Sequence, residues 1–271
     1  MKRGLSRKSA GRILGGVAVG YLAVCGIVFL VQRRLMYGPP PTGPTERTAR
    51  DAILPLWPSA GEFRGYLADA PKGWRGTVVV FHGNGNGAFD LDFVRDALAP
   101  HGLRVLLAEY PGYAGRAGSI DEASLVSDGR ETVRRAAALG KPVFVWGISL
   151  GTGVAAGVAA DRSLPIRGLA LITPFDSMTE QAAQTFWMFP ARWMVRDRYD
   201  SVENLKDFPR PVAVLVSEND DVIAPERGKR LFGALQAKKK LWIFPGARHN
   251  SWPDGKAQPW WSEVDAFLDS D

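Results

Sequence analysis

Hydrophobic positions along this chain follow two different patterns. Residues 13–31 form a run without a single charged side chain. As a helix, this run spans roughly 28 Å, close to the hydrocarbon thickness of a bilayer. From residue 61 onward, short β-branched runs alternate with stretches of helical apolar spacing. Runs at 77–81, 105–108, 143–146, 168–172, 212–216 and 241–244 read as strands. Helical spacing occupies 89–99, 121–138 and 152–160. Continuous apolar strands separated by helices predict an α/β fold with a mostly parallel sheet covered on both faces. One interval breaks the rhythm. Residues 174–208 exceed an ordinary crossover and carry Phe186, Trp187, Met188, Phe189, Trp193 and Met194, so a cap or lid is expected there.

The flanks of the first run set its meaning. Lys2, Arg3, Arg7, Lys8 and Arg12 precede it, and Arg33 and Arg34 follow. It is longer than the apolar core of a cleaved signal peptide, and no small-x-small site follows. Val24 is bulky for the position before a lipoprotein cysteine, and apolar residues continue past Cys25. The run therefore reads as an uncleaved transmembrane signal anchor. Its charge bias puts the N-terminus in the cytoplasm and the rest on the trans, extracytoplasmic side. Pro39, Pro40, Pro41 and the residues up to Thr45 read as a stiff linker. The expected organisation is a basic tail (1–12), an anchor (13–31), a linker (32–60) and a catalytic domain (61–271) containing the lid.

Composition narrows the chemistry. Residues 1–50 hold nine Lys or Arg and one acid, Glu46, whereas residues 51–271 hold 25 bases and 27 acids. The basic excess belongs to the arm, so a nucleic-acid partner is not expected. A lone cysteine, Cys25, permits neither an intrachain disulfide nor a thiolate zinc cluster. No HExxH helix or GxxxxGK[ST] loop occurs, and no metal or cofactor is expected.

Residues 147–151, Gly-Ile-Ser-Leu-Gly, match G-x-S-x-G directly after a predicted strand and open a small-residue helix. That is the setting of a nucleophile elbow, with Ser149 at its tip. Serine needs a base, and the base needs an orienting acid. His249 is the only histidine after Ser149 and lies in the loop after the last strand. Asp220, Asp221 and Asp176 compete for the acid, and Asp220 is preferred. The loop His82-Gly83-Asn84-Gly85-Asn86-Gly87 could converge backbone donors on an oxyanion; the N–H groups of Asn84 and Leu150 are the candidate pair. A phosphate cradle is the rival reading of this loop, but a lysine and the GxGxxG register are missing. His82 precedes Ser149 and reads as a scaffold for the loop. Tyr113, Trp187 and Phe189 are candidates for an apolar substrate pocket.

Together these stretches resemble the α/β-hydrolase superfamily from residue 61 to the C-terminus. More narrowly, the chain resembles the membrane-anchored branch of bud-emergence-type proteins and membrane abhydrolases, which includes serine aminopeptidase-like hydrolases. The matching stretches are Gln32-Arg33-Arg34-Leu35-Met36-Tyr37, residues 82–86, Tyr110-Pro111-Gly112-Tyr113-Ala114-Gly115, the Ser149 elbow, Arg196-Asp197-Arg198-Tyr199-Asp200-Ser201, Asp220 and His249. The resemblance implies a Ser-Asp-His hydrolase acting on an acyl ester, thioester or amide. It supports Asp220, because the family acid stands two residues before a Val or Ile leading into a Pro. Ser217, where a Gly is common, is a departure. The competing reading is a catalytically silent membrane scaffold on the same fold.

Overall fold

An eight-stranded sheet organises the computed structural model, which describes residues 7–38, 54–69 and 72–270. The proline-rich stretch from Pro39 to Thr45, and Lys2 and Arg3 of the basic tail, lie outside the described residues. In chain order the elements are α1 (Arg7–Tyr37), β1 (Leu56–Trp57), β2 (Gly65–Leu67), β3 (Gly76–Phe81), α2 (Asp92–Leu98), β4 (Leu103–Ala108), α3 (Glu122–Ala137), β5 (Val143–Ile148) and α4 (Leu150–Ala159). They continue through β6 (Ile166–Ile172), α5 (Met178–Thr185), α6 (Ala191–Met194), α7 (Ser201–Leu205), β7 (Val212–Ser217), α8 (Pro225–Ala234), β8 (Lys239–Phe244) and α9 (Trp260–Asp269).

Spatial order in the sheet is β1-β2-β4-β3-β5-β6-β7-β8. Strands β3 to β8 run parallel, as the continuous apolar runs predict. All six residues of β3, β5 and β7 are buried, because helices cover both faces. Val79 and Phe81 of β3 face the core shared with α3, α4, α7 and α8. Val78 and Val80 face the second core, where α2 and the Trp260–Trp261 pair of α9 pack. The antiparallel edge β1–β2 was not predicted; segments of two and three residues are too short to show a period. Capping sets several helix starts. Asp121 accepts from the Ser124 N–H, Ser177 from Glu180, and Asp200 from Glu203.

Helix α1 is long and apolar enough to cross a membrane, and Ile13, Leu14, Val17, Leu22, Ile27 and Leu30 are exposed on it. It runs further than the apolar stretch. Residues 32–37, expected in a linker, complete the helix and dock on the domain. Arg33 donates to both carboxylate oxygens of Asp197 at 2.8 Å, and the Tyr37 and Tyr199 hydroxyls meet at 3.0 Å. The expected linker boundaries of 32–60 are corrected at both ends, because residues 56–57 already belong to the sheet. Polar side chains after an apolar run read as a membrane flank, yet here they find buried partners.

Two glycine positions give a sharp test of the packing. A Cβ on Gly151 would lie 2.1 Å from the Phe81 carbonyl oxygen, whereas one on Gly233 in α8 meets nothing within 4 Å. Gly151→Ala should lower stability by about 3 kcal/mol or more, since backbone must move. Gly233→Ala should be neutral or stabilising by up to about 1 kcal/mol. Chemical denaturation of the two variants checks the contrast.

Candidate active site

Strand β5 ends at Ile148 and α4 starts at Leu150, so the chain reverses within one residue. Ser149 takes φ 53° and ψ −119°, a conformation that costs a non-glycine residue about 1–3 kcal/mol. Surrounding contacts hold it. The Ser149 N–H donates to the Ile172 carbonyl at the end of β6 (2.9 Å). A Cβ on Gly147 would lie 2.4 Å from the Gly151 carbonyl oxygen, so α4 approaches β5 as closely as backbone allows. The Ser149 hydroxyl is thereby left half-buried at the carboxyl edge of the sheet.

Loops after β7 and β8 bring the other two groups there. They hold each other through Glu218 N–H to Phe244 O (3.1 Å) and Asn219 N–H to Ala247 O (2.8 Å). His249 Nε2 lies 2.9 Å from Ser149 Oγ, and its Nδ1 lies 2.8 and 3.0 Å from the Asp220 carboxylate oxygens. A carboxylate only accepts, so Nδ1 carries the proton and Nε2 is left as an acceptor for the serine hydroxyl. Asp220 is fixed in turn by the Val222 and Ile223 N–H groups, at 2.9 and 2.8 Å, and its side chain is 2% exposed.

The other two acids are occupied elsewhere. Asp221 is exposed and pairs with Arg248 at 2.5 Å, and the hydrogen bond from that guanidinium holds its carboxyl below the usual range. Asp176 is buried against Arg227, whose Nη1 donates to both its oxygens at 3.1 and 3.2 Å.

The loop after β3 closes the site. Gly83 approaches so closely that a Cβ there would lie 3.3 Å from Ser149 Cβ, and Asn84 follows in the exposed part of the loop. The Leu150 N–H is the first of α4 and has no intrahelical acceptor. Beneath the loop, buried His82 donates through Nδ1 to the Gly83 carbonyl (2.8 Å) and meets Glu109 Oε1 through Nε2 (2.9 Å). Glu109 also accepts from the Ala88 and Tyr110 N–H groups, at 3.0 Å each, so one carboxylate ties both ends of the loop. Sequence reasoning passed over Glu109; a lone acid closing the apolar strand β4 was its signal.

The profile of the α/β-hydrolase fold family matches residues 76–207. An uncharacterized protein of Mycobacterium tuberculosis is 30% identical over 251 residues, covering 88% of this chain and 89% of that one. The chain belongs to the α/β-hydrolase superfamily. Among characterised members, it is similar to the lysophosphatidylserine lipase ABHD12 of Danio rerio, 29% identical over 185 residues. That match covers 60% of this chain and 48% of the relative, so the chain spans about half the length of that protein. Similar solved α/β-hydrolases include a monoacylglycerol lipase of Paleococcus ferrophilus, with TM-score 0.53, 21% identity, and coverage of 76% of this chain and 97% of that one. An esterase of Exiguobacterium antarcticum has TM-score 0.59, 17% identity, and coverage of 76% and 95%.

Within this hydrolase, the expected pocket residues have other surroundings. Tyr113 is fully buried, donates to the Tyr37 carbonyl (2.5 Å) and packs edge-on against His82 with ring centroids 5.2 Å apart. It supports the loop from below and offers no face to a substrate. Burial pushes the Tyr113 and Tyr110 phenols far above their ordinary range, so both stay neutral donors. Trp187 is 78% exposed, and Phe189 stacks on Tyr21 of α1 at 6.3 Å. The aromatic cluster faces outward and toward α1 instead of enclosing an acyl pocket.

Tyr113→Phe should therefore act on stability. It strands the Tyr37 carbonyl in a buried site, at a cost of about 1–3 kcal/mol. Thermal or chemical denaturation should register this loss. An altered substrate preference with unchanged stability would return Tyr113 to the pocket.

Proposed function

We propose that this chain is a membrane-anchored serine hydrolase that cleaves acyl esters of lipid-like substrates through an acyl-enzyme. The observation that carries the reading is His249, hydrogen-bonded at once to Ser149 and to Asp220. In the first step Ser149 Oγ attacks the acyl carbonyl carbon, and its proton passes to His249 Nε2. Asp220 holds the ring in the tautomer that can accept and stabilises the imidazolium that forms. The tetrahedral oxyanion lies between the N–H groups of Asn84 and Leu150, where the positive end of α4 adds to its stabilisation. Collapse breaks the ester bond, and the leaving alcohol takes the proton from His249. Water, deprotonated by the same imidazole, then attacks the acyl-enzyme and releases the carboxylate with Ser149 restored.

The substrate class rests on two supports. The named relatives act on lysophosphatidylserine and monoacylglycerol, both single-chain acyl esters. In addition, α1 would hold Ser149 next to a lipid phase. Thioesters and amides would follow the same route, with a thiol or an amine leaving in place of the alcohol. The basic flank before the apolar run favours an N-terminus in the cytoplasm and a catalytic domain on the trans side.

Two experiments test this. A fluorophosphonate should label the protein covalently, and Ser149→Ala should abolish labelling and turnover of a lysophospholipid or monoacylglycerol. His249→Ala should do likewise. Asp220→Asn should lower turnover by about 10⁴-fold, while Asp221→Asn should leave it within a few-fold. A protein that never labels would be a silent scaffold on this fold, the competing reading.

The second experiment concerns the anchor. The protein should stay with membranes through an alkaline carbonate wash, since burial of a spanning helix does not depend on charge. A reporter fused after Asp271 should be active only in the trans compartment; cytoplasmic activity would reverse the orientation, and release by carbonate would refute anchoring.

A further inference from the structure

Helix α1 touches the cap at several heights and so measures where the cap lies along it. The Tyr21 hydroxyl donates to the Met188 carbonyl (2.8 Å), and its ring stacks on Phe189. Further along, Gln32 Nε2 donates to the Met194 carbonyl (3.0 Å), and Gln32 Oε1 accepts from the Arg196 N–H (2.9 Å). Arg33 then binds Asp197, and the Arg196 guanidinium sits 5.7 Å above the Phe29 ring. Tyr21 and Arg33 are about 18 Å apart along the axis at 1.5 Å per residue. The cap between Phe186 and Trp193 thus hangs beside the apolar part of α1, on the N-terminal side of a charged belt formed by Arg33, Arg196 and Asp197.

The side chains at that height are the wrong ones for water. Phe186, Trp187 and Met188 are exposed, and Trp193 is 88% exposed. They continue the exposed apolar surface of α1 at Leu22, Ile27 and Leu30. Large exposed apolar patches mark interaction sites, and tryptophans favour the membrane–water interface. Arg192, the one charged side chain within 186–193, pairs with Glu180 at 2.8 Å.

Much of the cap backbone is paired internally as well. Irregular chain in lipid requires internal partners for its polar groups. The Phe189, Ala191, Trp193 and Val195 N–H groups donate to Phe186, Phe189, Pro190 and Ala191 carbonyls, and Pro190 has no N–H to satisfy. Two further cap carbonyls take their hydrogen bonds from Tyr21 and Gln32 of α1.

We propose that the cap is itself a membrane-inserted element: residues 186–193 enter the leaflet on the side of the catalytic domain, with Phe186, Trp187, Met188 and Trp193 in contact with lipid. This rests on the reading of α1 as a spanning anchor. Given that reading, the fixed contacts to Tyr21 and Gln32 leave the cap no position in water. The headgroup level then falls at the Arg33–Arg196–Asp197 belt. Helix α5 joins the inserted segment to the catalytic edge, where Gln181 Nε2 donates to the Val222 carbonyl (2.8 Å) two residues beyond Asp220.

The test uses the full chain with Cys25→Ser, reconstituted in vesicles of phosphatidylcholine and phosphatidylglycerol. Single cysteines at Leu22→Cys, Trp187→Cys, Trp193→Cys and Asp207→Cys each carry an environment-sensitive nitrobenzoxadiazole label. Asp207 is exposed beyond α7, at the opposite edge of the sheet from Ser149. Labels at 187 and 193 should emit to the blue of the label at 207 and be quenched by lipids carrying doxyl groups along the acyl chain, as should the label at 22. Labels at 187 and 193 that match 207 while 22 is quenched would place the cap in water and overturn the proposal alone. Blue-shifted emission that doxyl lipid fails to quench would mean that protein covers the patch, which also overturns it. An unquenched label at 22 would remove the anchor reading, and the proposal with it.

Discussion

Everything at this site depends on one tight backbone approach, that of α4 to the ends of β3 and β5. Gly147 and Gly151 have no Cβ, and at both positions the space for one is filled by backbone carbonyls. That closeness forces the chain to turn at Ser149 alone, and the price is a positive φ on a serine. The strain is held by a hydrogen bond to Ile172 and by the buried, well-packed helix behind it. In return the hydroxyl is left at the sheet edge, beside the first turn of α4. Parallel topology does the remainder: the loops after β3, β7 and β8 all leave at that edge, so groups far apart in sequence meet through short connections.

How much of this could be read from the residues follows from the range of each interaction. Strands β3, β5 and β7 were legible because burial on both faces writes an unbroken apolar run into each, whereas the half-exposed β8 showed only its shorter apolar run at 241–244. The Ser149 elbow was legible because a local motif coincided with a local strand-to-helix change. Asp220 was preferred over its neighbour only on the pattern that follows it, whereas their surroundings separate them: one faces the His249 ring, the other Arg248, the His249 backbone N–H and solvent. The orientation of the lid's aromatic residues was illegible for a different reason. Composition marked 186–194 as apolar but carried no direction, and an aromatic cluster facing outward reads like one facing inward until its neighbours are known. Tyr113 misled for the same reason, since its partner is a carbonyl 76 residues away.

The end of α1 was the least legible part. Arginines after an apolar run have a ready local explanation as a membrane flank. Here Arg33 instead meets a carboxylate 164 residues away, and that carboxylate also accepts from the Glu122 N–H at the start of α3. A two-oxygen pairing of this kind fixes orientation as well as distance.

That orientation links the two ends of the molecule. Tyr37, in the last turn of α1, shares a hydrogen bond with Tyr199 and accepts one from Tyr113. Tyr113 packs on His82, and His82 with Glu109 holds the loop that carries Gly83 and Asn84 beside Ser149. Burial keeps the Tyr199 and Tyr113 phenols neutral, so these bonds persist across the physiological pH range. A flexible tether would let a hydrolase domain tumble above a bilayer and present its serine in any direction. A helix built into the support of the loop beside Ser149 would remove that freedom, since the element that is long and apolar enough to cross a membrane also braces the loop that carries Gly83 and Asn84.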